Sequence, residues 1–457
     1  MEDATLAGRL ALEIRSRIAA RALAPGSRLP SIRAQAATRG VSKTTVVDAY
    51  DRLAAEGVIE SRRGAGFYVA GHPPPLSLAE AWPKLDRVVD PLWVSRQSLE
   101  MPDDALKPGC GWLPPGWMPE ASLRRALRGL ARADVTALTD YGSPRGLAPL
   151  REHLARRLAG FGVPAAAGQI LLTDSGTQAV DLLCRFLLEP GDTVLVDDPC
   201  YFNFRALLRA HRVQVVSVPY TPAGPDIAAF ARILQAQTPR LYITNCGVHN
   251  PTGASLSAVT AHRVLKLAEQ HGVTIIEDDI FADFETEPSP RLAAFDGLER
   301  VVQVGSFSKT LSASLRCGYI AVRPDWVEGL IDLKIAISFA SGRLSAELLL
   351  AVLQDGTYRK HVESLRARLA QARTQACARL GALGLRPWVL PRAGMYLWCA
   401  LPGRVEAAEI ARRALEDGVV LAPGNVFSPA QSAGRFLRFN AAQCADPRIF
   451  QVLKRLV

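Results

Sequence analysis

The sequence predicts an α/β chain in two parts: a small helical unit ending in a β-hairpin, then a large domain around a mostly parallel sheet. Three observations predict it. Residues 1–71 hold a compact run of capped helical segments. His72-Pro73-Pro74-Pro75 follows, a stiff stretch that cannot continue a helix, and the periodicity stays poor to about residue 107. From residue 108 to the end, apolar runs alternate with helical patterns. The 457 residues exceed one ordinary core, so two or three domains are expected. The expected division is 1–71, a linker at 72–107 with room for one short helix between Leu85 and Met101, and 108–457.

In the first part, Leu6, Leu10, Ile14 and Ile18 recur every four residues and give an amphipathic first helix. Pro25-Gly26 ends that unit. Ser31 is placed to cap a second helix reaching about Arg39, and Gly40-Val41 makes a tight turn. Ser42 caps a third helix from Lys43 to about Glu56, stopped by Gly57. Val46, Val47, Tyr50 and Leu53 are expected to face inward, and Lys43, Thr44 and Asp48 outward. Val58–Ser61 and Phe67–Ala70 then pair across Arg62-Arg63-Gly64-Ala65-Gly66, a basic glycine-bearing tip. Three helices, a tight second turn and a basic wing describe a winged helix-turn-helix. Its chemistry suits double-stranded DNA: small polar residues and a lysine open the third helix, and Arg62 and Arg63 can neutralise phosphates.

In the large domain, Ile170–Thr173, Thr193–Val196, Val213–Val218, Leu241–Thr244, Val273–Ile276, Val301–Val304 and Tyr319–Val322 read as buried strands. Between them lie patterns such as Val180, Leu183, Cys184 and Leu187, which share one helix face. Such alternation predicts a sheet covered on both sides, with a ligand at the carboxyl ends of the strands.

Composition bounds the function. The net charge of +10 suits an anionic partner. No apolar run approaches the ~20 residues of a membrane helix, and the N-terminus lacks the apolar stretch of a signal peptide, so a cytoplasmic protein without membrane contact is expected. The eight cysteines form no C-x-x-C pair, which suggests neither a metal site nor a disulfide framework.

The polar motifs fall at strand ends. Ser306-Phe307-Ser308-Lys309-Thr310 follows one strand, and a lysine so placed can form a Schiff base with an aldehyde cofactor. Arg316 and Ser306 can hold a phosphate. Asp174-Ser175-Gly176-Thr177-Gln178 joins a strand to a helix, which makes an anion site at the helix N-terminus. The side chain of Asn250, in Asn250-Pro251-Thr252-Gly253, can donate to a phenolate. A carboxylate of Glu277-Asp278-Asp279 can keep a pyridinium nitrogen protonated, and Tyr201 can stack on a ring.

These motifs carry two resemblances. L-P-S-x-R, S-x-x-T-V-x-x-A-Y-x-x-L-x-x-E-G-x-I and R-x-G-x-G-F-x-V resemble the GntR-type DNA-binding domain. That resemblance implies DNA contact by Arg33, Ser42, Lys43, Thr44, Thr45, Arg62, Arg63 and Gly66. From Gly109 onward the order and spacing resemble the fold-type I aminotransferases, whose cofactor is pyridoxal 5'-phosphate. By that resemblance Lys309 carries the cofactor as the catalytic lysine, Asp278 pairs with the ring nitrogen, and Asn250 pairs with the ring hydroxyl. Ser175, Gly176, Thr177, Ser306, Ser308 and Arg316 surround the phosphate, and Tyr201 stacks. Asp279 is the alternative register for the ring partner. Arg438 matches the arginine that grips a substrate α-carboxylate. Tyr141, in Tyr141-Gly142-Ser143-Pro144, matches a motif that reaches a neighbouring subunit's site, which implies a homodimer. The whole chain resembles the MocR-type regulators.

The match departs at Asp278-Asp279-Ile280-Phe281, where the family usually places a tyrosine in the last position, and at Ser312-Ala313-Ser314, where Pro-Gly is common. Losing the tyrosine hydroxyl raises the imine pKa and weakens acid–base tuning. The expectation is therefore a regulator that senses an amino acid or related amine by forming an external aldimine, through a coupling of ~1–3 kcal/mol. The alternative is an aminotransferase with an appended DNA-binding domain.

Overall fold

The computed structural model describes residues 5–19, 23, 26–62, 66–70, 90, 92–102, 104–132 and 135–457. The chain divides into two units, Met1–Val88 and Val89–Val457, a boundary inside the segment expected as linker.

In the smaller unit the caps act where the sequence places them. Helix α1 spans Leu6–Ala19 and buries Leu10 and Ile14. The Ser31 hydroxyl accepts the Ala34 amide at the head of α2, Ile32–Arg39, and Gly40 closes α2 in the left-handed region at φ 64°. Ser42 accepts from the Thr45 amide at 3.0 Å and starts α3, Lys43–Ala55. Val46, Tyr50 and Leu53 are fully buried against α1, together with Ala49. Val47 is only half-buried, and Ala49 takes the inward place expected for it, one helical turn before Leu53. The hairpin pairs β1, Ile59–Arg62, with β2, Gly66–Val69, in a register that sets Ile59 against Val69 and Arg62 against Gly66. Arg28 adds a further antiparallel bridge to Tyr68.

The larger unit is built on an eight-stranded sheet, in the order β3 (Ile170–Thr173), β10 (Gly318–Ala321), β9 (Val301–Ser306), β8 (Thr274–Asp278), β7 (Leu241–Thr244), β4 (Thr193–Asp198), β5 (Gln214–Thr221) and β6 (Gly224–Pro225). From β9 to β5 neighbouring strands are parallel, while β3, β10 and β6 are antiparallel to theirs. β3 and β7 are buried throughout, as continuous apolar runs in a two-sided sheet should be. Several ends shift by one to three residues from the apolar runs, because ladder pairing continues into polar residues such as Asp197, Asp198, Asp278 and Ser306.

A second sheet follows. It is antiparallel, ordered β11 (Arg386–Pro387), β12 (Tyr396–Ala400), β14 (Phe436–Asn440) and β13 (Ala422–Pro423). The helix Trp93–Glu100, from the region expected as linker, belongs to this part of the core. Its Trp93 and Val94 are buried with Phe202, Trp398 and Phe427, and Asp90 caps its first turn by accepting the Trp93 amide at 2.8 Å. Among the described residues no helix is long and apolar enough to cross a membrane.

Candidate cofactor site and nucleic-acid interface

Lys309 stands just beyond β9, and its half-buried side chain donates from Nζ to the carbonyl of Gly111 at 2.7 Å. Burial and then the nearby Arg438 charge push its ammonium down to about 8. Lys309, Gly111, Trp112, Tyr201, Asn250, Phe281, Tyr396 and Arg438 share one cavity of about 70 Å³. Its wall is completed by Val94, Ser95 and Ser98 of the helix Trp93–Glu100.

Arg438, on β14, is 1 % exposed. It donates from Nη1 to Asn250 Oδ1 at 2.9 Å and from Nη2 to the Gly109 carbonyl at 2.7 Å. Its guanidinium lies over the Tyr396 ring at 4.3 Å and the Phe427 ring at 4.7 Å. Its Nε is buried without a hydrogen-bond partner, and among the described residues it forms no ion pair. A buried cation without an anion is unfavourable, so the cavity suits a carboxylate. Because Asn250 Oδ1 accepts from Arg438, its amide nitrogen is the end left to donate to an oxygen on a bound ring.

Two neighbouring aspartates have different surroundings. Asp279 accepts Arg291 Nε at 3.0 Å and Gln303 Nε2 at 3.0 Å, while Arg291 also pairs with Glu285. Asp278, at the end of β8, forms no ion pair among the described residues; the Ile280 amide approaches its Oδ1 at 3.4 Å, and the more distant Lys309 charge opposes the effect of burial. Burial therefore pushes the Asp278 carboxyl up to about 6. A protonated ring nitrogen is the partner such a carboxylate lacks, and this favours Asp278 over the Asp279 register.

The turn expected at the phosphate is assembled by close backbone packing. The Ser175 hydroxyl caps the helix Gly176–Leu187 by accepting the Gln178 amide at 3.0 Å, leaving Gly176 and Thr177 in its first turn. A Cβ on Gly318 would sit 2.6 Å from the Ser175 carbonyl carbon, so only glycine lets β10 pass this turn. A Cβ on Gly176 would lie 3.8 Å from Ser306 Cβ, which brings the turn against the lysine loop. Ser306 and Ser308 hydroxyls are 2.9 Å apart. Arg316 is exposed at φ 46°, close enough for its charge to lower the Lys309 pKa further. This hydroxyl- and amide-lined turn, with an arginine nearby and a buried carboxylate at β8 that forms no ion pair among the described residues, fits pyridoxal 5'-phosphate.

Tyr141 lies elsewhere. It is 85 % exposed and stacks on Phe339 at 5.8 Å, outside the Lys309 cavity of its own chain. Sequence reasoning missed Ser98, whose buried hydroxyl has no hydrogen-bond partner, as well as Gly111 and Tyr396. The G-C-G-W-L-P run from Gly109 to Pro114 was a legible signal for the second of these. Nothing in the prolyl-rich neighbourhood of Ser98 pointed to a cavity wall.

On the smaller unit Arg33, Ser42, Lys43 and Thr44 are exposed, and Thr45 is half-buried beside Ser42 at 2.8 Å between hydroxyls. Arg62 pairs with Glu60 at 2.6 Å and lies over the Tyr68 ring at 4.5 Å, so its charge is partly engaged within the wing. Arg28 comes within 3.6 Å of where a Gly66 Cβ would stand, adding a basic group that the sequence did not single out. The expected contact at Arg63 lies outside the described residues.

Residues 115–456 match the family model described as aminotransferase class I and II, and residues 6–69 match the model of bacterial regulatory proteins of the gntR family. The HTH-type transcriptional regulator YdcR of Escherichia coli is 29% identical over 98% of this chain and 97% of its own. The regulator NorG of Staphylococcus aureus is 24% identical over 89% of this chain and 94% of its own. Among solved structures, α-aminoadipate aminotransferase LysN of Thermus thermophilus, complexed with N-(5'-phosphopyridoxyl)-L-leucine, superposes with a TM-score of 0.73 at 27% identity, covering 83% of this chain and 98% of that one. The kynurenine aminotransferase of Pyrococcus horikoshii superposes at 0.74 and 22%, over 83% of this chain and 97% of its own, a likeness of fold.

Proposed function

Since this chain belongs to the aminotransferase class I and II family and also carries a gntR-family reader, we propose that it is a MocR-type transcriptional regulator whose DNA affinity answers to an amino acid bound at Lys309. It binds DNA through the smaller unit and holds pyridoxal 5'-phosphate in the larger. The observation that carries the sensing claim is the cavity uniting Lys309, Asn250 and Arg438, a buried cation without an ion pair among the described residues.

The cofactor supplies an aldehyde that condenses with a primary amine and a ring that accepts electrons. The chain's own residues do the rest. Arg438 orients a carboxylate bidentately, which favours an amino acid over a simple amine. Lys309, with its amine pushed toward the neutral form, exchanges places with the effector's amine. Asp278 steadies the ring nitrogen and Asn250 the ring oxygen. Ser175, Gly176, Thr177, Ser306, Ser308 and Arg316 hold the phosphate, while Tyr201 covers the ring. In the reader, Lys43 and Thr44 enter the groove, and Arg33, Ser42, Thr45, Arg62, Arg63 and Gly66 support them.

The proposal includes a cytoplasmic homodimer. Exposed Val135, Leu138, Tyr141, Ile337 and Phe339 support it, since apolar surface of this kind marks an interface, and Tyr141 then serves the partner's site. A gel-shift series on the chain's own promoter, with holoprotein and a panel of amino acids, tests the reading. A shift in DNA affinity with one amino acid, paralleled by a change in the visible band, is the expected result. DNA affinity indifferent to cofactor and to every amino acid would sink it.

A second reading, an aminotransferase with an appended DNA-binding domain, is favoured by the co-occurrence of Lys309, Asp278, Asn250 and Arg438. Sustained keto-acid release over many turnovers would select it.

A further inference from the structure

We infer that Tyr396 supplies the hydroxyl that position 281 lacks, acting as a positioning residue for the cofactor bound at Lys309; the inference rests on the cofactor assignment above. Phe281 is buried at the cavity wall and offers no polar atom there. Its ring meets that of Tyr396 edge to face, with centroids 5.6 Å apart and planes at 82°. Tyr396 comes from β12, in the other sheet, and reaches the same cavity.

The hydroxyl and the reacting nitrogen meet at one acceptor. Tyr396 Oη and Lys309 Nζ converge on one carbonyl, that of Gly111, at 3.5 Å and 2.7 Å. A methyl group on Gly111 would lie in van der Waals contact with both, at 3.4 Å from Tyr396 Oη and 3.7 Å from Lys309 Nζ, so the two groups flank the same residue. The contact of 3.5 Å is long for an O–H···O bond, which leaves a buried hydroxyl poorly satisfied. A ring oxygen beside Lys309 is a better acceptor. Arg438 holds the tyrosine ring from its face at 4.3 Å. Burial also raises the Tyr396 pKa, with Arg438 opposing, so the hydroxyl keeps its proton to donate.

A donor at the ring oxygen favours the form in which that oxygen carries uncompensated negative charge, after the Lys309-linked nitrogen has lost its proton. The hydroxyl therefore lowers the pH at which that proton leaves. Absorbance titration of the holoprotein reads this directly, without turnover. Tyr396→Phe keeps the ring packing and is expected to raise the midpoint by about one pH unit, a tenfold change in proton affinity. Phe281→Tyr in the Y396F background should bring it back, and Phe281→Tyr alone should move it by less. An unchanged midpoint in cofactor-loaded Y396F would overturn the inference while leaving the cofactor assignment intact. Wild-type protein that takes up no cofactor would instead overturn the assignment itself, and the inference with it.

Discussion

In the DNA reader, Lys43 and Thr44 stand exposed on adjacent positions of one helix; in the larger unit, Arg438 and Asn250 of the cavity and Asp278 at the end of β8 are buried and come from distant parts of the chain. In the proposed reading both regions address an anion, but under different physics. An exposed lysine acts through a screened field and keeps its ordinary hydration, so its contribution is modest and depends on salt. A buried guanidinium has already lost its water, so the arrival of one carboxylate matters far more. The reader is therefore expected to be tolerant and graded, and the cavity selective and sensitive to pH.

Substitutions can break that contrast. The largest effect is expected from Lys309→Ala, which removes the covalent attachment. The visible band of the holoprotein should vanish, while gel shifts without effector stay near the wild-type value. Loss of DNA binding in that variant would show that the two units are not separable in this way. Next, Arg438→Ala should weaken binding of α-amino acids on the order of a hundredfold, as removal of charge-assisted hydrogen bonds implies. Titration with the corresponding decarboxylated amines should show little change, and an equal loss for both would refute a carboxylate grip.

Lys43→Ala tests the exposed side of the comparison. Its cost should be several-fold and uniform across DNA sequences. The slope of log affinity against log salt should shrink by about 0.9 for each phosphate that is no longer neutralised. An unaltered slope would place Lys43 away from the backbone.

The smallest effect concerns stability. Asp278 has its folded pKa raised to about 6 by burial, above the ordinary value of 3.8. The folded state thus holds this proton more tightly than the unfolded chain, and stability falls as pH rises through that window. In cofactor-free protein, Asp278→Asn should raise the melting temperature by a few degrees at pH 8, on the order that such a shift allows. The gain should disappear as pH falls to about 4. A gain that is the same at both pH values would mean that ionisation of Asp278 is not its source.

Much of the site was legible because it is written in short motifs. Ser306 to Lys309 and Ser175 to Thr177 each sit at or just after one strand end, and Asn250 to Gly253 lies in one turn, so local geometry and chemistry coincide. Ser31, Ser42 and Gly40 likewise declared the reader, since capping is a local hydrogen-bond rule. The second sheet was not legible in this way. β11 and β13 have two residues each, too few for any periodicity, and exist only through pairing with β12 and β14. The short helix allowed between Leu85 and Met101 is there, at Trp93–Glu100, but the interrupting prolines suggest a linker and hide that Trp93 and Val94 are core residues.

By itself, then, the sequence determined the two-part organisation, the caps and turns of the reader, and the identity of the lysine loop, because each depends on neighbours in the chain. Only the tertiary structure decided which aspartate forms an ion pair, which helix walls the cavity and which tyrosine shares the Gly111 carbonyl with Lys309. Those answers depend on Arg291 meeting Asp279, and on β12 and β14 carrying Tyr396 and Arg438 into the same cavity. Meetings of that kind follow from burial and packing between remote segments, which no local pattern records.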